Sequence, residues 1–531
     1  MNDTAARAAA LAGSLRAQLG QDAVVTDLAE REACSADLYV AGATCALVVR
    51  PADRPGVARA VAAATSAGFA VIARGGGLTY TAGYTPLSEE TVVLDLRRLD
   101  RIVEISADDM YVTVEAGVTW KQLHAALAPL GLRLPCFGTF SGAGATVGGG
   151  LSNGALFFGT ARYGTVADAL LGLEVVLADG TLLATGQGAL VNGQKPFYRT
   201  FGPDLGGLFV HDAGAFGVKT TATFRLIQAP ASHGYASFAF ADAAGAIAAL
   251  SAVARAGLAE DAYVFDPATT RRHLSDVDLA AGLRALAAVA RGQGGILKGL
   301  RDSARIAVAG RGSLFVDAYS LHVACAGRCA AAVASDVEGC RDLARKHGGA
   351  ELPDSIPKVV RAQPFPPLDD VVGPDGERWA ALNAKVAHSD AAALVAAAES
   401  LLESHAPAMQ RHGITVSRLM IAVSNHSFSY EPVLHWRDAW LPGHRRALSP
   451  AKLGRIREPV PDPAASALVH AIRGELVALF AAHGAASNQI GKTYPYASVL
   501  RAESRALLES LKQRLDPAGR MNPGALELSL T

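Results

Sequence analysis

The sequence predicts an α+β protein with more than one domain, and three observations support this class. The chain has 531 residues, more than a single hydrophobic core usually holds. Up to residue 227, short apolar strands alternate with amphipathic helices and glycine-rich loops. After Gln228-Ala229-Pro230 a new series of helices and strands begins, which is typical of an antiparallel sheet covered by helices on one side.

The elements of the first part are predicted from periodicity and from turn residues. A helix rich in Ala, Leu and Arg ends at Gly20, and an Asp179-Gly180 turn closes a hairpin. Strands are predicted from period-two alternation or short apolar runs. The predicted helices are 4–19, 54–67 and 120–130, and the predicted strands are 46–51, 69–73, 91–96, 101–105, 111–118, 173–178, 181–185 and 221–227.

The second part has alanine-rich helices, two strands and one long loop. The loop over 352–378 is rich in proline and charge, and its length indicates a functional segment rather than a simple connection. The predicted helices are 242–257, 326–346, 390–405 and 502–515, and the predicted strands are 313–323 and 414–429.

The composition excludes several classes of protein. Hydrophobic residues make up 50% and charged residues 18%, which disfavours disorder. Lys plus Arg equals Asp plus Glu at 49 each, so no global field attracts nucleic acid. Six dispersed cysteines indicate buried thiols in a reducing compartment rather than a disulfide framework. No signal peptide or bilayer-spanning run is evident, so we predict a cytoplasmic protein or one attached peripherally to a membrane.

Two glycine-dense stretches carry the strongest chemical signal. We call Arg74 to Thr79 (RGGGLT) the first glycine loop and Ala145 to Gly154 (ATVGGGLSNG) the second glycine loop. Glycine allows backbone N–H groups to approach a ligand closely, and successive N–H groups turned the same way bind an anion such as a pyrophosphate. A single loop of this kind can also be only a tight turn. Two such loops at strand ends favour one shared dinucleotide, whereas the G-x-G-x-x-G fingerprint of a Rossmann nicotinamide site is missing.

Five motifs in order resemble those of one flavoprotein family. They are Arg74 to Gly77, Ala145 to Gly149 (ATVGG), Gly172 to Gly180 (GLEVVLADG), Gly202 to Phe209 (GPDLGGLF) with Gly214 to Val218, and Asn522 to Gly524 (NPG). Together they resemble the vanillyl-alcohol oxidase and p-cresol methylhydroxylase superfamily of FAD-linked oxidoreductases, and within it the D-lactate dehydrogenase and glycolate oxidase branch.

The resemblance implies a domain plan and a set of cofactor residues. Residues 1–227 would form a two-part FAD-binding domain, 228–485 a substrate-binding cap, and 486–531 a segment that returns to the FAD domain. The residues implied to contact FAD are Arg74, Gly75, Gly76, Gly77, Leu78, Thr79, Gly83, Pro135, Ser141, Gly142, Thr146, Gly148, Gly149, Asn153, Gly217, Val218 and Asn522.

Two departures from the family pattern modify these expectations. Some relatives bind flavin covalently through a histidine in the first loop, where this chain has Leu78. We therefore predict FAD that is not linked there, although a histidine or tyrosine of the cap could supply a link. Metal-using relatives carry G-D-G-N-x-H and E-H-G-I-G, whereas this chain has VSNHSF over 423–428 and SNQIG over 487–491. Because the acidic ligand and a histidine are lost, we predict no metal.

The catalytic residues are predicted from what flavin chemistry requires of the protein. Flavin accepts hydride itself, so the protein must remove a hydroxyl proton and hold any carboxylate. His426 is predicted as the base and Arg418 as the carboxylate clamp, because even spacing in one predicted strand places both on one face. Alternatively, His426 is a core residue and Arg418 a surface charge. Second choices are Arg378, Tyr430, His388, His435 and Lys492, while Tyr494 and Tyr496 are interpreted as packing residues.

The resemblance implies oxidation of the CH–OH carbon of a 2-hydroxy acid, D-lactate-like or larger, to the 2-oxo acid. Residues 380–383 (AALN) lack the histidine expected there, which makes a larger or less polar substrate easier to accommodate. The alternative substrate is a phenolic or other alcohol, and a tyrosine cluster near the ring in place of Arg418 and His426 would support it. A flavin-binding protein without turnover and a subunit that docks a cytochrome are further alternatives. Oxygen, a quinone or a cytochrome could accept the electrons, and a homodimer is an expectation from the family.

Overall fold

The computed structural model describes residues 3–275 and 317–528. Its first part contains two larger sheets and a two-stranded pair of Leu132–Arg133 with Ile227–Gln228. Three parallel strands and a short antiparallel edge strand form one sheet in the order Val24–Val25, Leu47–Val49, Thr91–Asp95 and Ala70–Arg74. The other is antiparallel, in the order Ile102–Ser106, Tyr111–Glu115, Val218–Arg225, Leu170–Val176 and Leu182–Ala184. The mixed architecture agrees with the predicted α+β class, and the Asp179-Gly180 hairpin pairs Val176 with Leu182 as expected.

The helices of this first part cover the parallel sheet and connect the two sheets. Leu28–Cys34, Arg54–Ser66 and Trp120–Leu127 each begin at a capping side chain; Asp53, for example, accepts a hydrogen bond from Gly56 N. Their bounds are Asp3–Leu19, Leu28–Cys34, Arg54–Ser66, Trp120–Leu127, Val147–Ser152 and Thr160–Tyr163.

The end of the chain lies against the parallel sheet of the first part. Helix Ala502–Leu515 leads into a segment in which Val71 N donates to Arg520 O (2.8 Å) and Asn522 N donates to Val71 O (2.9 Å). The Asn522 side chain donates to the carbonyl oxygens of Gly83 (2.6 Å) and Ala213 (2.5 Å). The NPG motif therefore joins three separate segments next to the first glycine loop.

The second part is built on an antiparallel sheet, which we call the cap sheet. Its strand order is Ala350–Leu352, Ser232–Phe240, Tyr319–Gly327, Asp261–Phe265, Thr415–Val423, Ser427–Trp436 and Arg378–Ala381, with Ala384–Ala387 also paired to Ser427–Trp436. The helices of this part are Ala243–Ala256, Pro267–Ser275, Ala330–Lys346, Ser355–Ala362, Ala391–Ser404, Ala406–Arg411, Pro442–Ala447, Pro450–Leu453 and Pro463–Ala482.

The two faces of the cap sheet have different neighbours. The outer face packs on the long helices, and its core includes Met420, Tyr430 and Leu434. The inner face packs on the first part of the chain, because Phe265 and Ile421 share a core with Trp120, Leu151 and Phe158. Side chains of a strand alternate between faces, so the register of each strand decides which residues can reach the glycine loops.

One long helix of the cap is unusually apolar. Pro463–Ala482 is the single described helix that is long and apolar enough, by length and composition, to cross a membrane. Val469, Ile472, Leu476 and Phe480 of this helix are buried in the core of the outer face. In this structure it is a core helix of the cap.

Three sequence predictions for the second part differ from the structure. The predicted strand 414–429 is a hairpin of Thr415–Val423 and Ser427–Trp436, with Ser424 at a φ of 53° in the turn. The loop 352–378 contains the helix Ser355–Ala362. The predicted strand 313–323 begins at Tyr319 within the described residues, and positions 313–316 lie outside them.

A buried ion network connects the two parts of the chain. Arg133 of the first part forms an ion pair with Glu260 of the cap, and Arg361 pairs with both Glu260 and Asp261. Gly159 N of the first part also donates to Asp261 Oδ1 (2.5 Å). All four charged side chains are at most 8% exposed, so each charge depends on its partners for compensation.

Candidate functional site

The first glycine loop follows directly from a parallel strand. Strand Ala70–Arg74 ends in the loop, and Gly77 takes a φ of 73° that favours glycine. The Arg74 guanidinium is buried and lies 5.4 Å over the Tyr84 ring. A methyl group on Gly77 would overlap this guanidinium. The loop backbone is therefore held close to a buried cation.

The second glycine loop touches the first one. A methyl group on Gly75 would overlap Thr146 Oγ1, and one on Gly76 would overlap the carbonyl oxygen of Gly144. Thr146 caps the short helix Val147–Ser152 by accepting a hydrogen bond from Gly149 N (3.4 Å). The two loops, far apart in sequence, thus meet with no room for a side chain at Gly75 or Gly76.

A cavity opens at this contact. Its volume is about 280 Å³, within reach of the smaller ligand cavities of proteins. Among its lining residues are cationic, amide and hydroxyl groups beside glycine backbone. The lining consists of Arg74, Gly76, Gly77, Leu78, Arg97, Asp100, Gly117, Thr119, Gln122, Gly144, Thr146, Leu368, Gly443, Arg446 and Ala447.

Buried polar atoms without partners surround the same loops. In the part of the chain that the structure describes, no hydrogen-bond partner is present for Thr79 Oγ1, Thr81 Oγ1, Asn153 Oδ1, Asn488 Oδ1 or Asn522 Oδ1. Buried polar groups are nearly always hydrogen-bonded in folded proteins, so such a concentration indicates a polar ligand. Thr79, Asn153 and Asn522 are among the residues predicted from the sequence as cofactor contacts.

Most of the other predicted cofactor residues lie at the cavity or near the two glycine loops, and three lie outside the cavity lining. Arg74, Gly76, Gly77, Leu78 and Thr146 line the cavity, and Gly75, Gly83, Gly148 and Gly149 lie in or beside the two loops. Ser141 and Gly142 belong to the turn Phe140–Ala143 that precedes the second loop. Pro135, Gly217 and Val218 are not part of the cavity lining: Val218 pairs with Val176 in the antiparallel sheet, and Pro135 O accepts from Arg133.

The predicted placement of His426 and Arg418 on one strand face is wrong. His426 lies in the exposed hairpin turn, where its Nδ1 is 3.4 Å from Asn425 Oδ1. Arg418 is on the outer face and donates two hydrogen bonds to Glu399, at 2.8 and 2.7 Å, with Asp266 at 3.3 Å. The turn at Ser424 separates the two residues, and two carboxylates already occupy the guanidinium. Neither can reach the glycine loops.

Arg378 and Tyr430 also have structural partners. Arg378 is buried, pairs with Asp438 (3.2 Å) and donates to Tyr39 O (2.6 Å), while burial lowers its pKa. Tyr430 lies on the outer face and donates to Glu399 (2.7 Å). The structure therefore contradicts a direct role for either in holding a substrate.

The remaining second choices have partners as well. His435 Nε2 is hydrogen-bonded to Ser417 Oγ (2.7 Å), and burial lowers the pKa of His435 to about 3. Lys492 donates to Thr85 O (2.6 Å), and burial lowers its pKa to about 8. His388 bonds Ser251 (3.1 Å). Tyr494, interpreted from the sequence as a packing residue, is buried, and its hydroxyl accepts from Asn383 N (2.6 Å).

The inner face of the cap sheet instead presents Glu431. Strand register places Leu419 opposite both Phe265 and Glu431, and Asn383 lies beside Glu431 between the pairs Ala381–Val433 and Ala384–Tyr430. Burial raises the pKa of the Glu431 carboxyl to about 7. Within the described residues this carboxyl has no hydrogen-bond or ion-pair partner, and no arginine or lysine lowers its pKa.

Aromatic side chains surround this carboxyl. Tyr80, directly after the first glycine loop, contacts Trp379 with ring centroids 4.7 Å apart and ring planes tilted by 45°. The Glu431 charge and burial both raise the pKa values of Tyr80 and Tyr494, burial being the larger cause. The inner face near the loops is thus aromatic, with one uncompensated carboxyl group.

One inner-face cation lies farther along the sheet. Lys385 pairs with Ser429, two residues from Glu431 on the same strand, and burial lowers its pKa to about 8. Its charge acts on Asp168 and His211 of the first part of the chain. In the described chain Lys385 has no ion-pair partner.

Sequence reasoning did not single out Glu431, Lys385 or Tyr80. The place of Glu431 on the inner face depends on the register of the hairpin, which the predicted single strand 414–429 obscured, and Lys385 and Tyr80 lie in separate elements that only the tertiary fold brings near it. A lone carboxylate inside the apolar run FSYEPVLHW over 428–436 was the available signal. Charged residues are rarely buried in such strands unless a partner or a function retains them.

Comparison with known proteins defines the class of the first part. Residues 45–186 match the family described as FAD binding domain. This segment contains both glycine loops, the Asp179-Gly180 hairpin and most of the cavity lining. Residues 45–186 are therefore an FAD-binding domain, and the predicted cofactor is confirmed as FAD.

Particular relatives and one solved structure extend the comparison. A probable mitochondrial D-lactate dehydrogenase of Danio rerio is 36% identical over 167 residues, 32% of each chain. The glycolate oxidase subunit GlcD of Bacillus subtilis is 29% identical over 183 residues, 34% of this chain and 37% of the relative. The chain thus spans about a third of the length of the curated relatives it matches. Substrate-bound p-cresol methylhydroxylase has the same fold, with a TM-score of 0.74, 19% identity and coverage of 99% of this chain and 97% of the other.

These findings confirm the resemblance inferred from the motifs, and the site fits FAD. The contact between the glycine loops has no room for a side chain at Gly75 or Gly76, and the cavity beside it is lined by glycine backbone and Arg74. The unpartnered oxygens of Thr79, Thr81, Asn153, Asn488 and Asn522 would hydrogen-bond polar groups of bound FAD. In the described ranges 3–275 and 317–528, no group of three or more His, Cys, Asp or Glu residues is arranged to hold a metal ion.

Because His426 is exposed in a turn, we expect His426→Ala to leave catalysis almost unchanged. The kcat/KM of the variant should remain within about twofold of wild type, as for substitutions remote from reacting atoms. Steady-state kinetics with the best substrate would measure this. A loss of about 100-fold or more would restore His426 as the base and contradict the placement of the site on the inner face.

Proposed function

We propose that the protein is an FAD-dependent oxidoreductase that oxidises the carbinol carbon of a phenolic or other neutral, aromatic alcohol. FAD supplies the chemistry of hydride acceptance when it is bound. The chain's own part is to bind the alcohol, orient its carbon and remove the hydroxyl proton.

The observation that carries the choice of substrate is the composition of the inner face beside the first glycine loop. Tyr80 and Tyr494 lie close enough to Glu431 for its charge to raise their pKa values, Tyr80 contacts Trp379, and no arginine or lysine among the described residues forms an ion pair with the Glu431 carboxyl. A second carboxylate brought into this enclosure would meet like charge at low dielectric, which is unfavourable. An aromatic neutral alcohol offers stacking area and one hydroxyl group without that penalty.

A second candidate is a 2-hydroxy acid with a large apolar side chain. The relatives named above include a D-lactate dehydrogenase and a glycolate oxidase subunit, and Lys385 is a half-buried cation on the same face. If a carboxylate is bound, Lys385 is the residue that would hold it. This candidate requires the carboxylate to lie toward Asp168, away from Glu431.

A matched pair of substrates distinguishes the two candidates. We expect kcat/KM with an artificial electron acceptor to be at least about tenfold higher for benzyl alcohol than for either enantiomer of mandelate, which adds one carboxylate to the same carbon. Lys385→Met should leave the benzyl alcohol rate within about twofold. A preference for mandelate that Lys385→Met abolishes would instead establish the 2-hydroxy acid, since a buried charge-assisted contact is worth about 10-fold or more.

A further inference from the structure

Glu431 is a carboxyl group that has no hydrogen-bond or ion-pair partner among residues 3–275 and 317–528. Buried carboxylates elsewhere in the cap are paired: Glu260 with two arginines, and Asp266 with Arg418. Glu431 is enclosed by Tyr80, Tyr494, Asn383 and Leu419, and none of them bonds its oxygens within the described residues. The Glu431 side chain is half-buried, and a partly desolvated carboxyl without a partner is unfavourable, which indicates that it is retained for a function.

The position of Glu431 is set by rigid elements. It lies in the central part of strand Ser427–Trp436, which pairs on one side with Thr415–Val423 and on the other with Arg378–Ala381 and Ala384–Ala387. Asn383 next to it is fixed by Tyr494 and by Ser487 and Asn488, which both donate to Asn383 Oδ1 at 3.0 Å. Groups built on paired strands hold their geometry better than groups on loops.

We propose that Glu431 is the catalytic base that accepts the hydroxyl proton of the alcohol, an inference that rests on the proposed function. The O–H bond breaks and its proton passes to a Glu431 carboxylate oxygen. The electron pair of that bond becomes the second C–O bond, and the carbinol hydrogen leaves with its pair to the flavin. The products are the carbonyl compound, reduced flavin and protonated Glu431.

The groups that face Glu431 agree with a base that changes charge near neutral pH. Tyr80 and Tyr494 are neutral, because burial raises their pKa values, that of Tyr494 to about 12. His435, on the same face, is neutral because burial lowers its pKa to about 3. Arg473 donates hydrogen bonds to the carbonyl oxygens of Ala381 and Tyr80. Lys385 lies on the strand Ala384–Ala387, which pairs with the strand of Glu431. Burial alone raises the Glu431 pKa to about 7, close to the value at which a general base works best.

The test is the anaerobic rate of flavin reduction by benzyl alcohol, measured by rapid mixing across pH. In wild type we expect the rate to rise about tenfold per pH unit below the Glu431 pKa and to level off above it. Glu431→Gln should reduce the plateau rate by about 10²- to 10⁴-fold, the usual contribution of general base catalysis, and should remove that limb of the profile. Glu431→Asp should retain the limb at a lower rate. Glu399→Gln is the matched control, because Glu399 is a partly exposed carboxylate on the outer face of the cap sheet. This variant should keep the wild-type pH profile.

A measurement without turnover separates the carboxyl from the activity. The pKa of Glu431 is higher in the folded protein, about 7, than in the unfolded chain, about 4.5. Protonated Glu431 therefore contributes to the free energy of unfolding below pH 4.5, and this contribution is lost as the pH rises through about 7. The Tm of wild-type protein without FAD, relative to that of Glu431→Gln, should therefore fall between those pH values. If the difference in Tm between wild type and Glu431→Gln did not change with pH, Glu431 would not titrate with a raised pKa in the folded protein.

The outcomes distinguish this inference from the function on which it rests. If wild type is reduced by the alcohol and Glu431→Gln keeps both the limb and a rate within threefold, Glu431 is not the base, while the proposed function stands. If no alcohol reduces wild-type protein that contains FAD, the proposed function fails and this inference fails with it.

Discussion

Gly76→Ala should weaken FAD binding by about 10- to 100-fold, and the protein should lose its yellow colour on dilution. The added methyl group overlaps the carbonyl oxygen of Gly144, and the backbone there cannot move as a flexible side chain can. Overpacking of this kind costs about 1–3 kcal/mol, and each 1.4 kcal/mol corresponds to a factor of about ten in affinity. Titration of the FAD-free protein with FAD, followed by flavin fluorescence, measures the effect.

Gly474→Ala is the control for this prediction. Gly474 lies within helix Pro463–Ala482, and a methyl group there meets nothing within 4 Å. Alanine favours a helix by about 1 kcal/mol over glycine, so this variant should bind FAD as wild type does and unfold at an equal or higher temperature. Unchanged FAD affinity in Gly76→Ala would mean that the contact between the two glycine loops does not form the cofactor site.

Arg361→Met should lower the free energy of unfolding by about 3–5 kcal/mol, the second large effect that we expect. The substitution leaves Glu260 and Asp261 buried with Arg133 as the remaining cation of the network among the described residues. Removing one partner of a buried ion pair typically has this cost, because the remaining charge is desolvated without compensation. Urea unfolding followed by circular dichroism measures it.

Arg505→Met provides a comparison at the surface. Arg505 pairs with Glu509 one helical turn away, and the two side chains are 51% and 47% exposed. Such pairs contribute about 0.3–0.5 kcal/mol, so this variant should unfold almost as wild type does. If Arg361→Met lowered the free energy of unfolding as little as Arg505→Met does, the buried ion network would not stabilise the contact between the cap and the first part of the chain.

The FAD-binding part was predictable because its signals are local. Glycines in the two loops are needed for close backbone approach, and their order with the LEVVLADG hairpin is visible without any structure. The contact of Gly75 with Thr146 and of Gly76 with Gly144 could not be predicted, because it depends on how two separate strands are placed.

The substrate side was predicted less well because it depends on register. Ser424, Asn425 and His426 form a turn without glycine or proline, so the residues 414–429 appeared to be one strand. That interpretation exchanged the faces: Arg418 lies on the outer face, and Glu431 and Lys385 lie on the inner face. A single turn decided which charged residues of this hairpin lie on the inner face of the cap sheet, as expected where side chains alternate with period two.

The visible absorption spectrum, recorded anaerobically before and after addition of benzyl alcohol, tests the central claim most directly. The account predicts a flavin spectrum that the alcohol bleaches, and that readmitted air or an added acceptor restores. A protein that cannot be reconstituted with FAD would contradict the cofactor site. A flavin bleached by 2-hydroxy acids and not by any neutral alcohol would contradict the substrate class derived from Tyr80, Trp379 and Glu431.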